Sequence, residues 1–298
     1  MSPLLIAGRL TPPNVGLLDA CRELGVPARL LPAELAERRP RPGDIVLGRV
    51  DVRPTLDGVE PGLTSLRRLE EAGLIVLNSA DALIGAHDKL ETARRLRRGG
   101  IPHPRTEHVA AGGALPDVEL PVVLKPRFGS WGADVVRCTS TRELRRSFAR
   151  LSKRSWFRRD GVLVQELVPP PGADLRLLVS AGVVVGAVSR KAAPGEWRTN
   201  VALGGTRHPA LPSAEARELA VAAAAAIGAD LVGVDLLPTA RGHVVLELNG
   251  CVDFCAEYSF PGSDVFVDVV ETLLFPYARE LLTHRPQPGE ELPLGGPT

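Results

Sequence analysis

Three oxygen-bearing side chains sit where a strand pattern would bury them. In "LVGVDLLP" Asp235 is a lone acid among apolar residues, and in "HVVLELNG", residues 243–250, Glu247 and Asn249 interrupt another apolar run. Burying an unpaired carboxylate costs on the order of several kcal/mol, so these groups need partners. Side chains alternate along a strand, which puts Val245, Glu247 and Asn249 on one face and Val244, Leu246 and Leu248 on the other. Two acids and an amide on neighbouring strands facing one cavity make a hard-oxygen site. Mg²⁺ suits it, because that ion takes a few carboxylate or carbonyl oxygens and completes its sphere with water and phosphate. A pair of surface acids on an edge strand is the other reading of the same residues.

A cationic complement lies upstream in "PVVLKPRFGSWGADVV", residues 121–136. Lys125 falls in a strand that Pro126 ends. Phe128-Gly129-Ser130-Trp131-Gly132 then forms a loop whose glycines let backbone N–H groups approach phosphate oxygens, with Ser130, Trp131 and Gly132 as the contacts. It is not a Walker A loop, for GxxxxGK[ST] is absent, and a lysine before a glycine turn is common in itself. In "VLVQELVPPPGADLR", residues 163–176, Gln165, Glu166, Leu167 and Val168 offer backbone groups to an adenine edge. Asp174 is placed to accept ribose hydroxyls, and Arg176 faces the same way two residues later; an ordinary amphipathic strand and turn is equally compatible. In "SRKAAPGEWRTNVALGG", residues 189–205, Arg190, Lys191 and Arg198 gather positive charge near Asn200. Clustered guanidinium groups neutralise charge developing on a transferring phosphoryl group or tetrahedral intermediate. A solvated basic loop is the alternative.

The elements that must hold these groups are legible from periodicity. The apolar runs "LLIAG" (4–8), "ARLLP" (28–32), "DIVLGRV" (44–50) and "LIVLN" (74–78) alternate with helical stretches "VGLLDACRELG" and "GLTSLRRLEEAG" (62–73), predicting a small open α/β unit with a mostly parallel sheet. No GxGxxG follows the first strand. Asp88 caps a helix that turns Leu90, Ala93 and Leu96 inward and stops at Gly99, Gly100 and Pro102. A strand at "PVVLKP" precedes a helix over 140–151 with a capping box of Ser140 and Glu143. Residues 161–168, 173–192 and 230–239 read as strands of an antiparallel or mixed sheet, with a hairpin turn at Ala181-Gly182. A helix spans Ser213 to Gly228, and a last helix starts near Ser263 and is interrupted near Pro276. The Pro/Gly/Glu-rich tail beyond His284 predicts disorder.

Bulk properties narrow the function classes. The 298 residues are 44% hydrophobic and 24% charged with formal net charge +1, so no global field points to nucleic acid or membrane. The N-terminal apolar run is too short for a signal peptide, and no stretch reaches the ~20 apolar residues of a membrane helix. Cys21, Cys138, Cys251 and Cys255 make no CxxC pair and no zinc spacing, which reads as reduced thiols in a cytoplasmic protein. None of the six histidines has a triad context.

The order of these signals is more specific than any one of them. A lysine-bearing strand, a glycine loop, QELV, D-x-R, R…RTN…GG, V-D and E-x-N resemble the layout of the ATP-grasp superfamily, and within it the RimK/LysX-like carboxylate–amine ligases, the branch of the ribosomal-protein S6 glutamate ligase. The similarity covers roughly residues 75–275. It implies an α/β (α+β) fold: a Rossmann-like pre-ATP-grasp domain over 1–80, a central subdomain over 81–165, a C-terminal subdomain over 166–284 with the nucleotide between two sheets, and a disordered tail over 285–298. It implies that Lys89 of "DKLET" and Lys125 meet the nucleotide phosphates, that Gln165, Glu166 and Val168 form the adenine hinge, and that Asp174 contacts ribose. Arg190 then stabilises the reacting acyl phosphate, and Arg198, Thr199 and Asn200 match an "R-[ST]-N" segment near ATP and substrate. Asp235, Glu247 and Asn249 resemble magnesium ligands, with two ions bound to ATP and Mn²⁺ able to substitute.

The implied chemistry is attack of a carboxylate on the γ-phosphate of ATP, then attack of an amine on the acyl phosphate, releasing ADP and phosphate. The partners are an amino-acid or peptide amine and a carboxylate, carried on a small molecule, a peptide or a carrier protein, and relatives assemble as dimers or tetramers. A kinase-like phosphotransferase and a non-catalytic nucleotide-binding regulator are the alternatives on the same scaffold. The sequence departs from the pattern in "ELNGCVDFCAEYSFPG", residues 247–262, beside the acceptor site of the family.

Overall fold

The computed structural model describes residues 3–41, 43–169 and 172–283; the tail at 285–298 lies outside them. The first four apolar runs become β1 (Leu4–Gly8), β2 (Ala28–Leu31), β3 (Ile45–Arg49) and β4 (Ile75–Leu77). They pair wholly in parallel in the order β2-β1-β3-β4. Parallel strands need crossovers, which α1 (Pro12–Glu23) and α2 (Leu63–Glu71) supply in part. Thr11 caps α1, whose two prolines fall where N–H groups have no helical partner anyway. Asp88 ends α3 (Ala80–His87) and caps α4 (Lys89–Arg98) by accepting the Leu90 and Glu91 N–H groups. Leu90, Ala93 and Leu96 are buried, as their spacing requires.

Two antiparallel sheets follow. β5 (Thr106–Val109), β6 (Val122–Lys125), β7 (Val136–Cys138) and β8 (Val162–Glu166) pair in the order β5-β8-β6-β7, backed by α5 (Thr141–Leu151) and α6 (Ser155–Asp160). β9 (Ala173–Ser180), β10 (Val183–Lys191), β11 (Thr206–Pro209), β12 (Leu231–Thr239) and β13 (Gly242–Asn249) pair in the order β11-β10-β9-β12-β13. Ala181 and Gly182 both take positive φ and close the β9–β10 hairpin. α7 (Ala214–Ile227) lies against this last sheet through Ala216, Ala220, Ala223, Ala224 and Ile227. Four of those five side chains are single methyls, so helix and sheet approach closely.

Two sequence expectations change. α8 (Val265–Thr283) runs through Pro276 without interruption, because a proline inside a helix removes one hydrogen bond but need not end it. The simple alternation expected for β13 also fails. Asp235 pairs with Glu247 and Leu236 with Val245, leaving Leu246 as an extra residue. This bulge sends Val245 and Leu248 into the core beneath α7 and turns Leu246 and Glu247 together toward the cleft. Val245 therefore does not share the face of Glu247.

The parallel sheet is tied to the last sheet by polar groups as well as packing. Asn78, 1% exposed and at φ 52, donates to the carbonyls of Leu231 (2.6 Å) and Gly250 (3.3 Å) and accepts the N–H groups of Asp230 and Leu231, each at 2.9 Å. Arg49, also buried, donates to Asn14 Oδ1 (3.0 Å) and to the Val252 carbonyl (2.8 Å). The core below these ties mixes β1, α1, β10 and α8. Among the described residues no helix is long and apolar enough to cross a membrane. Asn78→Ala strands two N–H groups and two carbonyls at once, so it should lower stability by about 2–4 kcal/mol. Urea unfolding would read this as a lower midpoint at unchanged slope.

Candidate active site

A cleft of about 890 Å³ lies between the two antiparallel sheets. Lys125 enters it from β6 and Gln165 from β8; Glu166, Leu167 and Val168 follow as the segment joining the sheets. Ser130, Trp131 and Gly132 cover it from the glycine loop. The other sheet contributes Asp174, Arg190, Asp235 and Glu247, the loop after β10 contributes Arg198, Thr199 and Asn200, and α4 contributes Lys89. The sequence motifs thus converge, with two exceptions: Arg176 and Asn249 line an adjoining cavity of about 970 Å³ instead. Ser130, Trp131, Arg190, Asn200 and Glu247 border both spaces.

The cleft is apolar at one end and charged at the other. Val123, Leu237 and Leu246 supply flat aliphatic walls near the joining segment. There the Glu166 N–H donates to the Arg105 carbonyl (2.9 Å), the Leu167 N–H to the Pro121 carbonyl (3.2 Å), and the Gln165 amide to Thr106 Oγ1 (2.8 Å). A planar ligand edge must use other backbone groups of the segment. At the charged end Lys89 Nζ lies 3.1 Å from Glu247 Oε2. Burial alone would push the Glu247 carboxyl up, but the charges of Lys89 and then Lys125 hold it well below the usual carboxylate range. Lys125 is 5% exposed, and burial, followed by repulsion from Lys89, pulls its ammonium down to about 8.

Lys89 is aimed by residues whose role the sequence did not reveal. Asp88 caps α4 and also takes both arms of Arg127, with Nε at 2.7 Å from Oδ1. The Lys89 N–H donates to the Arg127 carbonyl (3.1 Å). One aspartate therefore fixes the start of α4 against the strand end that carries Lys125. Its capping role was legible; its grip on Arg127 spans 39 positions, and no local spacing signals it.

The floor of the cleft is a buried chain of alternating charge. Arg190 Nε donates to Asp174 Oδ1 (2.8 Å) and its Nη2 to Asp235 Oδ2 (2.8 Å), while Arg176 makes a two-point contact with Asp235 at 2.6 and 2.8 Å. Thr199 Oγ1 also donates to Asp174. Burial would discharge these arginines, but Asp235 keeps Arg176, and Asp235 with Asp174 keeps Arg190, well above the ordinary guanidinium range. Three of the expected site residues have protein partners here. Asp174 is no free ribose acceptor, since both its oxygens are engaged by Arg190 and Thr199. Asp235 is no free metal ligand, since two guanidinium groups occupy its oxygens. Arg176 turns away from the nucleotide-sized cleft because Asp235, its cross-strand partner in the register, takes it.

Arg198 is likewise engaged: it pairs with Glu196 at 2.7 Å and donates to the Gly132 carbonyl at 2.8 Å. It clasps the glycine loop to the segment carrying Asn200. Gly132 sits at φ 71, and a Cβ there would lie 2.8 Å from Asn200 Oδ1, so only glycine fits the clasp. Trp197, missed as a site residue although it lies in "EWRTN", lines the cleft beside it.

Oxygen donors for a hard cation remain at Glu247 and, two residues on, Asn249, whose amide nitrogen is buried without a partner among the described residues. Among the described residues no group of three or more His, Cys, Asp or Glu side chains gathers as a metal cluster. A site here would combine a carboxylate, an amide oxygen and ligand phosphates, which is a donor set that suits Mg²⁺.

Comparison with known proteins agrees with this geometry. The profile of the RimK-like ATP-grasp domain matches residues 86–272. A probable alpha-L-glutamate ligase of Aeromonas salmonicida (strain A449) is 34% identical over 236 residues, covering 77% of this chain and 76% of the relative. The tetrahydromethanopterin:alpha-L-glutamate ligase of Methanosarcina acetivorans is 30% identical over 243 residues, covering 70% and 75%. The crystal structure of a RimK domain ATP-grasp protein from Sphaerobacter thermophilus superposes with a TM-score of 0.66 at 23% identity, covering 92% of this chain and 100% of that one.

Lys125 gives a test on the chain alone. Its folded-state ammonium titrates below its ordinary value of 10.5, so between about pH 8 and pH 10.5 the unfolded chain binds more protons and stability rises with pH. Lys125→Met should therefore stabilise the protein at pH 7 by about 1–3 kcal/mol, and the gain should shrink as pH climbs toward 10.5. Denaturant melts of both proteins at pH 7, 8.5 and 10 would show it.

Proposed function

The chain belongs to the RimK-like ATP-grasp family and is a ligase that forms C–N bonds, and we propose that it joins a carboxylate to an amine through an acyl phosphate made from ATP. The observation that carries this reading is the shared wall: Ser130, Arg190, Asn200 and Glu247 face both the nucleotide-sized cleft and the adjoining cavity. A phosphoryl group leaving a nucleotide in the first space has its acceptor waiting in the second.

The residues divide the work by chemistry. Val123, Leu237 and Leu246 sandwich the base, and the backbone at 165–168 meets its edge. Lys89 and Lys125 meet the phosphates, so Lys89 exchanges its contact with Glu247 for a phosphate oxygen. Glu247 and Asn249 would hold Mg²⁺, which when bound neutralises charge on the bridging phosphate oxygens; Asp235 joins them only by releasing an arginine. Arg190, anchored by Asp174, keeps a guanidinium face toward the border where charge develops on the acyl phosphate. The loop at 129–132, clasped by Arg198, shields that intermediate from water. The division into units near residues 80 and 165 is supported by the three sheets, the first ending at Leu77, the second running from Thr106 to Glu166 and the third starting at Ala173. Relatives that are glutamate ligases favour an α-amino acid as the amine.

The test is a screen of paired carboxylates and amino acids for ADP release, with mass spectrometry of the product. A carboxylate that turns over should give a hydroxamate when hydroxylamine replaces the amino acid. Glu247→Gln should lower the rate at least a hundredfold and, by leaving Lys89 without its partner, also lower the unfolding midpoint, with circular dichroism showing that the variant is folded at the assay temperature. A stable phosphoester instead of a hydroxamate would make the protein a phosphotransferase.

A further inference from the structure

The adjoining cavity carries one charge that the reaction above leaves unused. Its cations all have partners: Arg176 binds Asp235, Arg190 binds Asp174 and Asp235, and Arg207 lies 3.1 Å from Glu257 and 4.0 Å from Asp253. Glu247 is answered by Lys89. Asp51 is different. It lines the cavity and is half-buried, yet among the described residues no Lys, Arg or His nitrogen lies within 4.0 Å of its carboxylate. One oxygen accepts the Val52 N–H at 2.7 Å.

Asp51 is also held rigidly. It follows β3 at the carboxyl edge of the parallel sheet, the edge at which open α/β sheets receive ligands. Its N–H donates to Glu60 Oε2 (3.2 Å) and its carbonyl accepts the Glu60 N–H (2.7 Å). Burial raises its carboxyl above the ordinary value, although the Val52 N–H and the charges of Arg49, Arg9 and Lys89 oppose this.

An acyl phosphate needs an uncharged amine, whereas an amino acid arrives at neutral pH as an ammonium. Some group in the cavity must hold that cation and accept its proton. Glu247 is already paired with Lys89 at 3.1 Å. The Tyr258 hydroxyl is engaged, donating to the Asp253 carbonyl at 3.3 Å. Asp253 has its side chain 73% exposed. Resting on the ligase reading, we propose that Asp51 binds the ammonium of the incoming amino acid and takes its proton as the amine attacks. One N–H proton passes to the Asp51 carboxylate, and the freed lone pair forms the C–N bond. The C–O bond to phosphate then breaks, with its electron pair leaving on phosphate, and the second N–H proton departs with that phosphate.

The test uses the full chain with ADP and Mg²⁺ present, titrated calorimetrically with each of the twenty L-amino acids. At least one should bind the wild type, and Asp51→Asn should raise its Kd tenfold or more while ADP affinity stays within twofold. Asp51→Glu should recover part of the loss. The deaminated analogue of the same acid should bind wild type and Asp51→Asn alike, an outcome that a merely structural aspartate would not give. Equal amino-acid affinity in Asp51→Asn, no amino acid bound by the wild type, or loss of ADP affinity together with the amino acid would each overturn the assignment. Hydroxamate formation by the wild type separates the two failures: if it is absent the ligase reading falls, and if it is present only the role of Asp51 does.

Discussion

Arg190 sits between two buried aspartates, and the rest of the site is arranged around that fact. Asp174, Arg190 and Asp235 are 2%, 5% and 0% exposed, and Arg176 closes the chain at its far end. Charges so placed are tolerable only in full company. Removing one partner leaves an uncompensated ion and costs about 3–5 kcal/mol. The chain therefore acts as a fixed electrostatic floor, carried by three adjacent strands, β10, β9 and β12, whose register sets each pair opposite the next. It orients one guanidinium toward the border between two cavities without any flexible element.

The glycine loop and Lys89 line the cleft together with this floor. The glycine loop is held by Arg198 on the Gly132 carbonyl, by the bridge of Phe128 to Asp88 and by Asp134, which accepts from Trp156 and Arg154. Lys89 and Glu247 hold one another, which keeps each from being buried alone. A triphosphate accompanied by a metal ion can replace that single contact with several stronger ones. The parallel sheet enters through Asn78 and Arg49, which lock its carboxyl edge onto the ends of β12 and β13. That lock brings the loop bearing Asp51 to the wall of the adjoining cavity, so the parallel-sheet unit helps to shape that space.

Much of this was legible from residue order alone. Lys125 before a proline, the glycines at 129 and 132, and Glu247 and Asn249 in an apolar run are local signals whose chemistry does not depend on distant partners. The strands of the parallel sheet, β6, β8, β9, β10, β12 and β13, and the helices α1, α2, α4, α5 and α7 followed from periodicity for the same reason, whereas the short β5, β7, β11, α3 and α6 did not. What remained hidden depended on pairing across sequence distance. Asp174 and Asp235 look like free acids in a strand, and only the register of β9 with β10 and β12 shows that arginines consume them. The extra residue at Leu246 leaves no mark in composition, yet it decides which of Val245 and Leu246 faces the cleft. Asp51 stands in a loop with no motif, and its exposure to the cavity arises from packing between units that are far apart in the chain.

The central claim is that a carboxylate oxygen in one cavity attacks a phosphoryl group held in the next. Oxygen tracing tests it most directly. With a carboxylate substrate labelled with ¹⁸O in both oxygens, the account predicts that one labelled oxygen appears in each inorganic phosphate released, read by mass shift or by ³¹P resonance. Phosphate released without label, alongside amide product, would contradict it.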